Sequence, residues 1–236
     1  MTQLAQQTAL VTGANRGLGK EFVTQLLERG VAKVYAAARD ESTVVTDDPR
    51  VVPLRLDVTD PESVRLAAAA APDVTVLVNN AGLYASTSVL DPDTTALRRE
   101  LEVNLIGPLA VASAFAAPIK SAGGAIVNIA SALSWAALGQ TYGVSKAALW
   151  SANDSMRFEL APDGVQVVGV YVGYVDTDMV AAVDAPKTAP VDVVRQVLDG
   201  VEAGALEVLA DETSRMVKAN LHRPIQEQFP QLAQSA

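Results

Sequence analysis

The stretch TALVTGANRGLGKEFVTQLLERG, residues 8–30, decides the fold. Thr8–Val11 is a short apolar run with the length of a strand. From Leu18 to Arg29, Leu18, Phe22 and Leu26 with Val23 and Leu27 make one apolar helical stripe, and Gly30 stands where a C-cap belongs. Between the two lie Gly13, Gly17 and Gly19, with Asn15, Arg16 and Leu18 among them. In such a loop Gly13 allows a sharp turn, Gly17 lets the backbone approach a pyrophosphate, and Gly19 permits close helix–strand packing. The helix start then offers free N–H groups and partial positive charge to phosphates. Three glycines can also build a mere tight turn, but their place after a strand and before a helix favours a nucleotide site.

The same unit repeats along the chain. Further strand candidates are Lys33–Ala37, Val51–Leu56, Val74–Val78, Ala125–Ile129, Val165–Tyr171 and Leu206–Leu209. Most are apolar on both faces, as strands between two helix layers should be. Asp60 followed by Pro61 reads as an N-cap and first helical residue. Strand and helix in alternation predict parallel strands joined by right-handed crossovers. The expected fold is a single α/β domain over 1–236, a Rossmann-like doubly wound sheet of about seven strands with helices on both faces.

Composition narrows the function. With 236 residues, half of them apolar, the chain can bury a substantial core. A net charge of −9 argues against nucleic-acid or anionic-membrane partners, so a phosphate-bearing ligand needs local basic residues and backbone dipoles. The absence of cysteine removes disulfides and thiolate chemistry. The lone His222 has no His or Cys partner nearby in sequence, so no metal site is expected. The uncharged runs 103–119 and 121–145 are interrupted by Asn, Ser, Gly or Pro, and the N-terminus lacks a signal-peptide pattern. A cytoplasmic protein is the expectation. Arg98-Arg99-Glu100 reads as a solvated helix face.

The GxxxGxG spacing with Thr12 before it resembles the short-chain dehydrogenase/reductase family, and later motifs follow in that family's order. Asp57-Val58 follows the third strand, Asn79-Asn80-Ala81-Gly82 ends the fourth, Asn104 lies in the next helix, Ser131 follows the fifth strand, and Tyr142 to Lys146 reads YxxxK. The resemblance implies an NAD(P)-dependent oxidoreductase interconverting a carbonyl compound and an alcohol. It implies cofactor contacts from the glycine loop, Asp57, Val58, Asn80, Ala81 and Gly82, and from Gly173, Val175 and Thr177 after the sixth strand. Val172 stands where family members commonly have proline, which predicts a more mobile loop there. A homodimer or homotetramer is also implied, with Trp150 on the Tyr142 helix a candidate for a subunit contact.

Ala38 and Arg39 end the second strand, where an acidic side chain would chelate a ribose and repel a 2′-phosphate. Arg39 and Arg16 together predict a preference for NADP(H), with NAD(H) still possible, unless Asp40 neutralises Arg39. On a helix Tyr142 and Lys146 share a face, and a nearby ammonium should lower the phenol's pKa. Tyr142 is thus the expected general acid/base. By resemblance Lys146 also binds the nicotinamide ribose, Ser131 holds the substrate oxygen, and the Asn104 amide fixes a water in a proton relay. An equally physical role for Asn104 is to satisfy backbone groups in a helix distorted by Pro108. Ser131 is eleven residues before Tyr142, whereas thirteen is the family's usual spacing, so Ser134 is a second candidate. The expected substrate pocket is Leu83, Tyr84, Leu133, Trp135, Tyr174 and Met179 beneath a lid at 178–190. Two other readings compete with a carbonyl reductase or alcohol dehydrogenase: an epimerase or dehydratase on the same fold, and a non-catalytic dinucleotide sensor.

Overall fold

The computed structural model describes residues 2–136, 138 and 140–230. Within them seven strands form one sheet: β1 (Thr8–Thr12), β2 (Lys33–Ala38), β3 (Val51–Arg55), β4 (Val76–Asn79), β5 (Ala125–Ile129), β6 (Gln166–Tyr171) and β7 (Glu207–Leu209). Every neighbouring pair is parallel and the order is β3-β2-β1-β4-β5-β6-β7. The chain thus starts in the middle, winds out to β3, then crosses back to β4 and winds the other way. That reversal opens a crevice beyond the carboxyl ends of β1 and β4, where ligands bind in open α/β sheets. Each strand lies within two residues of its predicted bounds, the ordinary uncertainty of element ends.

Alternate residues of one strand feed two cores. Ala9, Val11, Val76, Val78 and Val127 pack beneath α1 (Gly17–Glu28) and, further along the chain, a helix at Pro190–Glu202. Leu10, Leu77 and Ile126 face the other layer, made by α2 (Pro61–Ala70), α3 (Thr94–Leu101), α4 (Gly107–Ala114), α5 (Ala116–Ala122) and α6 (Gln140–Leu160). There Val64, Val111, Phe115, Ile119 and Met156 cover the sheet. The Pro190–Glu202 helix is α7; α8 (Glu212–Asn220) and α9 (Ile225–Gln228) close the described chain. Among the described residues no single helix is long and apolar enough to cross a membrane.

The local punctuation follows the expected chemistry. Asp60 accepts a hydrogen bond from Glu62 N at 3.0 Å, with Pro61 at the first position of α2. Gly30 ends the α1 turn at φ 77°, in the left-handed region. Between α3 and α4 the chain widens into a π-helical turn, Glu102–Ile106. Pro108 explains it: proline has no N–H for the carbonyl of Asn104 four residues back, and its ring crowds that carbonyl. The Gly107 N–H bonds to Glu102 O instead. The reading of residues 98–100 as a solvated face is corrected here. Arg98 and Arg99 are exposed, but Glu100 is fully buried, on the side of α3 that turns inward.

Candidate active site

At the crevice lies a cavity of about 1170 Å³. Its floor at one end is the glycine loop. Gly13 sits at φ 65°, and a Cβ on Gly19 would fall 2.1 Å from Gly13 O, so the helix can start this close only without a side chain. Gly19 itself packs inward and does not line the cavity, whereas Gly13, Asn15, Arg16, Gly17 and Leu18 do. Arg16 occupies the N-cap of α1 without a side-chain cap, which leaves the first-turn N–H groups to a ligand. The loop is braced from β4. Thr12 Oγ1 accepts from Asn80 N and Ala81 N, both at 3.0 Å, and Asn80 Nδ2 donates to Thr12 O at 2.9 Å. Asn80, Ala81 and Gly82 line the cavity beside it.

Ala38, Arg39, Asp57 and Val58 form the far end, at the tips of β2 and β3. Arg39 is exposed and makes no ion pair with the described residues. Asp40 does not neutralise it: its carboxylate caps the following turn, accepting from Ser42 N at 3.1 Å and Ser42 Oγ at 2.7 Å. Arg16 reaches Asp178 at 3.5 Å across the mouth, an exposed pair of little strength. Partial burial would push the Asp57 carboxyl up. Hydrogen bonds from the Thr59 backbone and hydroxyl, with Arg39 nearby, reverse that and hold it below the usual range.

At the other end stand Ser131, Tyr142 and Lys146. Helix α6 projects Tyr142 and Lys146 from successive turns. The Lys146 ammonium is buried, donates to Ile129 O at 2.8 Å and lies 5.7 Å from the Tyr142 ring centre. Burial lowers its pKa to about 8. The expected depression of the Tyr142 pKa is not what this arrangement produces. Burial pushes the phenol well above its ordinary value, and the opposing influence is hydrogen bonding with the Ser131 side chain, not Lys146.

The two serine candidates separate cleanly. Ser131 Oγ accepts from Leu133 N at 3.1 Å, donates to Val172 O at 3.3 Å and faces the cavity. Ser134 Oγ donates to Lys146 O at 3.0 Å on the back of α6, away from the cavity lining. Asn104 is also behind the lining. Its Oδ1 accepts from Leu83 N at 2.9 Å, and both amide hydrogens are spent, on Leu83 O at 2.9 Å and Ser145 Oγ at 3.0 Å. The geometry matches the backbone-satisfying role, and no amide N–H remains to hold a relay water.

Leu83, Tyr84, Leu133, Tyr174, Met179 and Val180 line the cavity without charge, and Arg99, Glu102 and Asp178 line it too. The Tyr84 ring stands edge-on to Tyr142 at 4.9 Å. Trp135 is not among the walls, against expectation. It stacks on Tyr171 at 4.2 Å and meets Trp150 edge-on at 5.9 Å, with Lys218 Nζ 4.6 Å above it. An indole next to other aromatic rings gains more from that cluster than from an open wall. Trp150 is therefore half-buried inside the chain itself.

Gly173, Val175 and Thr177 reach the cavity after β6. The missing proline at Val172 does not leave this strand end untethered: Val172 O accepts from Ala132 N at 2.9 Å, and Gly173 N donates to Asp211 Oδ2 at 2.7 Å. The segment 178–190 begins with a 3-10 turn, Asp178–Val180, and returns to its base where Val175 pairs with Thr188. Neighbours that escaped the sequence reading include Arg99, Glu102 and Val103, which line the cavity, and Glu100, buried behind it. A signal existed for Glu100. It lies three residues after Leu97 and four before Asn104, the spacing of one helical face.

A family model described as short chain dehydrogenase matches residues 7–188. The chain belongs to the short-chain dehydrogenase family. A crystal structure of a short-chain dehydrogenase from Burkholderia cenocepacia J2315 in complex with NADP is similar over 98% of this chain and 99% of that one, with 40% identity and TM-score 0.93. An NADPH-bound carbonyl reductase from chicken fatty liver is 27% identical, covers 83% of this chain and 90% of its own, and has TM-score 0.75. Among curated relatives, an NADPH-dependent 1-acyldihydroxyacetone phosphate reductase of Schizosaccharomyces pombe is 32% identical over 181 residues, 73% of this chain and 61% of that protein. The chain spans less than two thirds of the length of this and the other curated fungal short-chain dehydrogenases it matches.

Proposed function

We propose that this short-chain dehydrogenase is an NADP(H)-dependent reductase that interconverts an uncharged, mostly apolar carbonyl compound and its secondary alcohol. One observation carries the reading: a single cavity has the glycine loop and the uncapped start of α1 at one end and the Ser131–Tyr142–Lys146 group at the other. The open N–H groups of α1, with Arg16 and Arg39 beyond them, suit a dinucleotide bearing a 2′-phosphate. The NADP and NADPH complexes of the two similar proteins support that cofactor.

NADP(H) bound there supplies or accepts the hydride. The chain supplies the proton and the placement. Ser131 Oγ turns its one hydrogen from Val172 O to the carbonyl oxygen and fixes that oxygen beside Tyr142. Tyr142 Oη gives its proton to that oxygen as the carbonyl carbon becomes tetrahedral, and takes it back in alcohol oxidation. A phenol held above its ordinary pKa by burial keeps the proton until then. The phenolate left behind is the state that the Lys146 ammonium stabilises, so Lys146 acts in the transition state more than in the resting protein. The six uncharged residues beyond Tyr142 favour a mostly apolar substrate, because a charged group set among them would lose hydration without gaining a partner there.

The test is to mix the protein with NADPH and a panel of neutral aliphatic and aromatic ketones. Cofactor consumption with at least one ketone, and slower turnover with keto acids, is expected. Cofactor binding without consumption by any ketone would favour the dinucleotide sensor. The exposed Val144 and Phe158 on α6 are consistent with the expected homodimer or homotetramer, which light scattering would test.

A further inference from the structure

We infer that Glu100 is a positioning residue that holds Tyr84 against Tyr142 and so fixes the wall on which the carbonyl substrate lies; this rests on the reduction proposed above. Glu100 lies near the end of α3, where the helix runs on into the π-helical turn, and it is fully buried. Burying a carboxyl group is costly unless it is hydrogen-bonded. Here Oε1 accepts from two consecutive main-chain groups, Ala85 N at 2.8 Å and Ser86 N at 2.9 Å. Oε2 has no hydrogen-bond partner. An apolar side chain of similar volume would spare the core that cost. What it would lose is the hold on Ala85 and Ser86.

That hold matters because of the segment it grips. Residues 83–87 are fastened at three points. Asn104 takes both main-chain groups of Leu83. Glu100 takes Ala85 and Ser86, and Thr141, the residue before Tyr142, exchanges bonds with Thr87: Thr87 N to Thr141 Oγ1 at 2.9 Å and Thr141 N to Thr87 O at 3.1 Å. Ser86 sits at φ 51°, a left-handed conformation that a non-glycine residue keeps only when its surroundings impose it. Tyr84 lies between the Asn104 and Glu100 attachments, and its ring meets Tyr142 at 4.9 Å. Glu100 and Asn104 are four residues apart on one helical face, so a single element sets both attachments.

The experiment compares wild type, Glu100→Gln, Tyr84→Ala and the double variant by amide hydrogen exchange and by steady-state kinetics. Glutamine keeps the length but weakens the acceptor for two N–H groups, so exchange over residues 83–87 should speed up about tenfold or more. The KM for ketone should rise about tenfold while the KM for NADPH stays within about twofold. In the Tyr84→Ala background Glu100→Gln should add little, because both changes act through the same ring. Wild-type exchange over 83–87 in Glu100→Gln overturns the inference, as does an equal rise in both KM values or full additivity of the two changes. If Glu100→Gln does not fold, Glu100→Asp, too short to reach both amides, replaces it with the same expected and contrary results. The exchange measurement judges Glu100 whether or not any ketone is turned over, so failure of the proposed reaction is seen separately, in wild type.

Discussion

At the glycine-loop end the cavity is bounded by Gly13, Gly17 and the uncapped start of α1, with Arg16 and Arg39 beyond them; at the Tyr142 end it is bounded by residues gathered from α6, the segment 83–87 and the turn after β5. The first is set by local conformation, Gly13 in a left-handed turn and an uncapped helix start, with one long-range brace from Thr12 to Asn80 across adjacent strands. The second depends on contacts between residues far apart in the chain, such as Asn104 with Leu83 and Ser131 with Val172. A backbone-built site tolerates few substitutions but is recognisable from spacing alone. A side-chain-built site is specific in its chemistry, and its members need not be neighbours in sequence.

The largest effect should come from breaking the first end at its tightest point. Gly19→Ala places a Cβ against the Gly13 carbonyl oxygen, a backbone atom with nowhere to move. NADPH binding should be lost, together with a drop in Tm seen by calorimetry. At the second end, Ser131→Ala should cost about a hundredfold in kcat, whereas Ser134→Ala should cost only about 1 kcal/mol of stability with turnover nearly intact. The opposite ranking would reject the placement of the serine.

Arg39→Ala tests whether the first end has a side-chain component after all. The ratio of kcat/KM with NADPH to that with NADH should fall about tenfold or more, because a charge-assisted contact to the 2′-phosphate goes. An unchanged ratio would show Arg39 to be a solvated loop residue. A smaller and graded effect should follow pH. Lys146 is protonated below about 8 in the folded protein and below 10.5 as an ordinary lysine. Reductive kcat/KM should therefore fall about tenfold per unit above pH 8 as the ammonium is lost. Stability should move the other way, rising between pH 8 and 10.5, because there the unfolded chain binds the extra proton.

The same contrast explains what was legible beforehand. The seven strands, the doubly wound order and the glycine loop follow from apolar runs, glycine spacing and the alternation of elements, which are local signals. The two-residue deficit before Tyr142 did not hide Ser131, because its place just past β5 is a backbone property. Trp135, only four residues on, was misplaced: which way an aromatic side chain turns depends on Tyr171, Trp150 and Lys218, all distant in sequence. Glu100 was missed because charge suggested solvent, although its spacing from Asn104 pointed inward. The direction of the Tyr142 shift was misjudged for a related reason, since the depth of burial is not written in YxxxK.

The central claim is that the two ends are separable and that the Tyr142 hydroxyl is the proton donor. Tyr142→Phe removes that hydroxyl alone, so NADPH titration and ketone turnover measured on this one variant test it most directly. The NADPH dissociation constant should stay within about threefold of wild type while kcat falls by a factor on the order of a thousand. Turnover near the wild-type rate with NADPH still bound would contradict it.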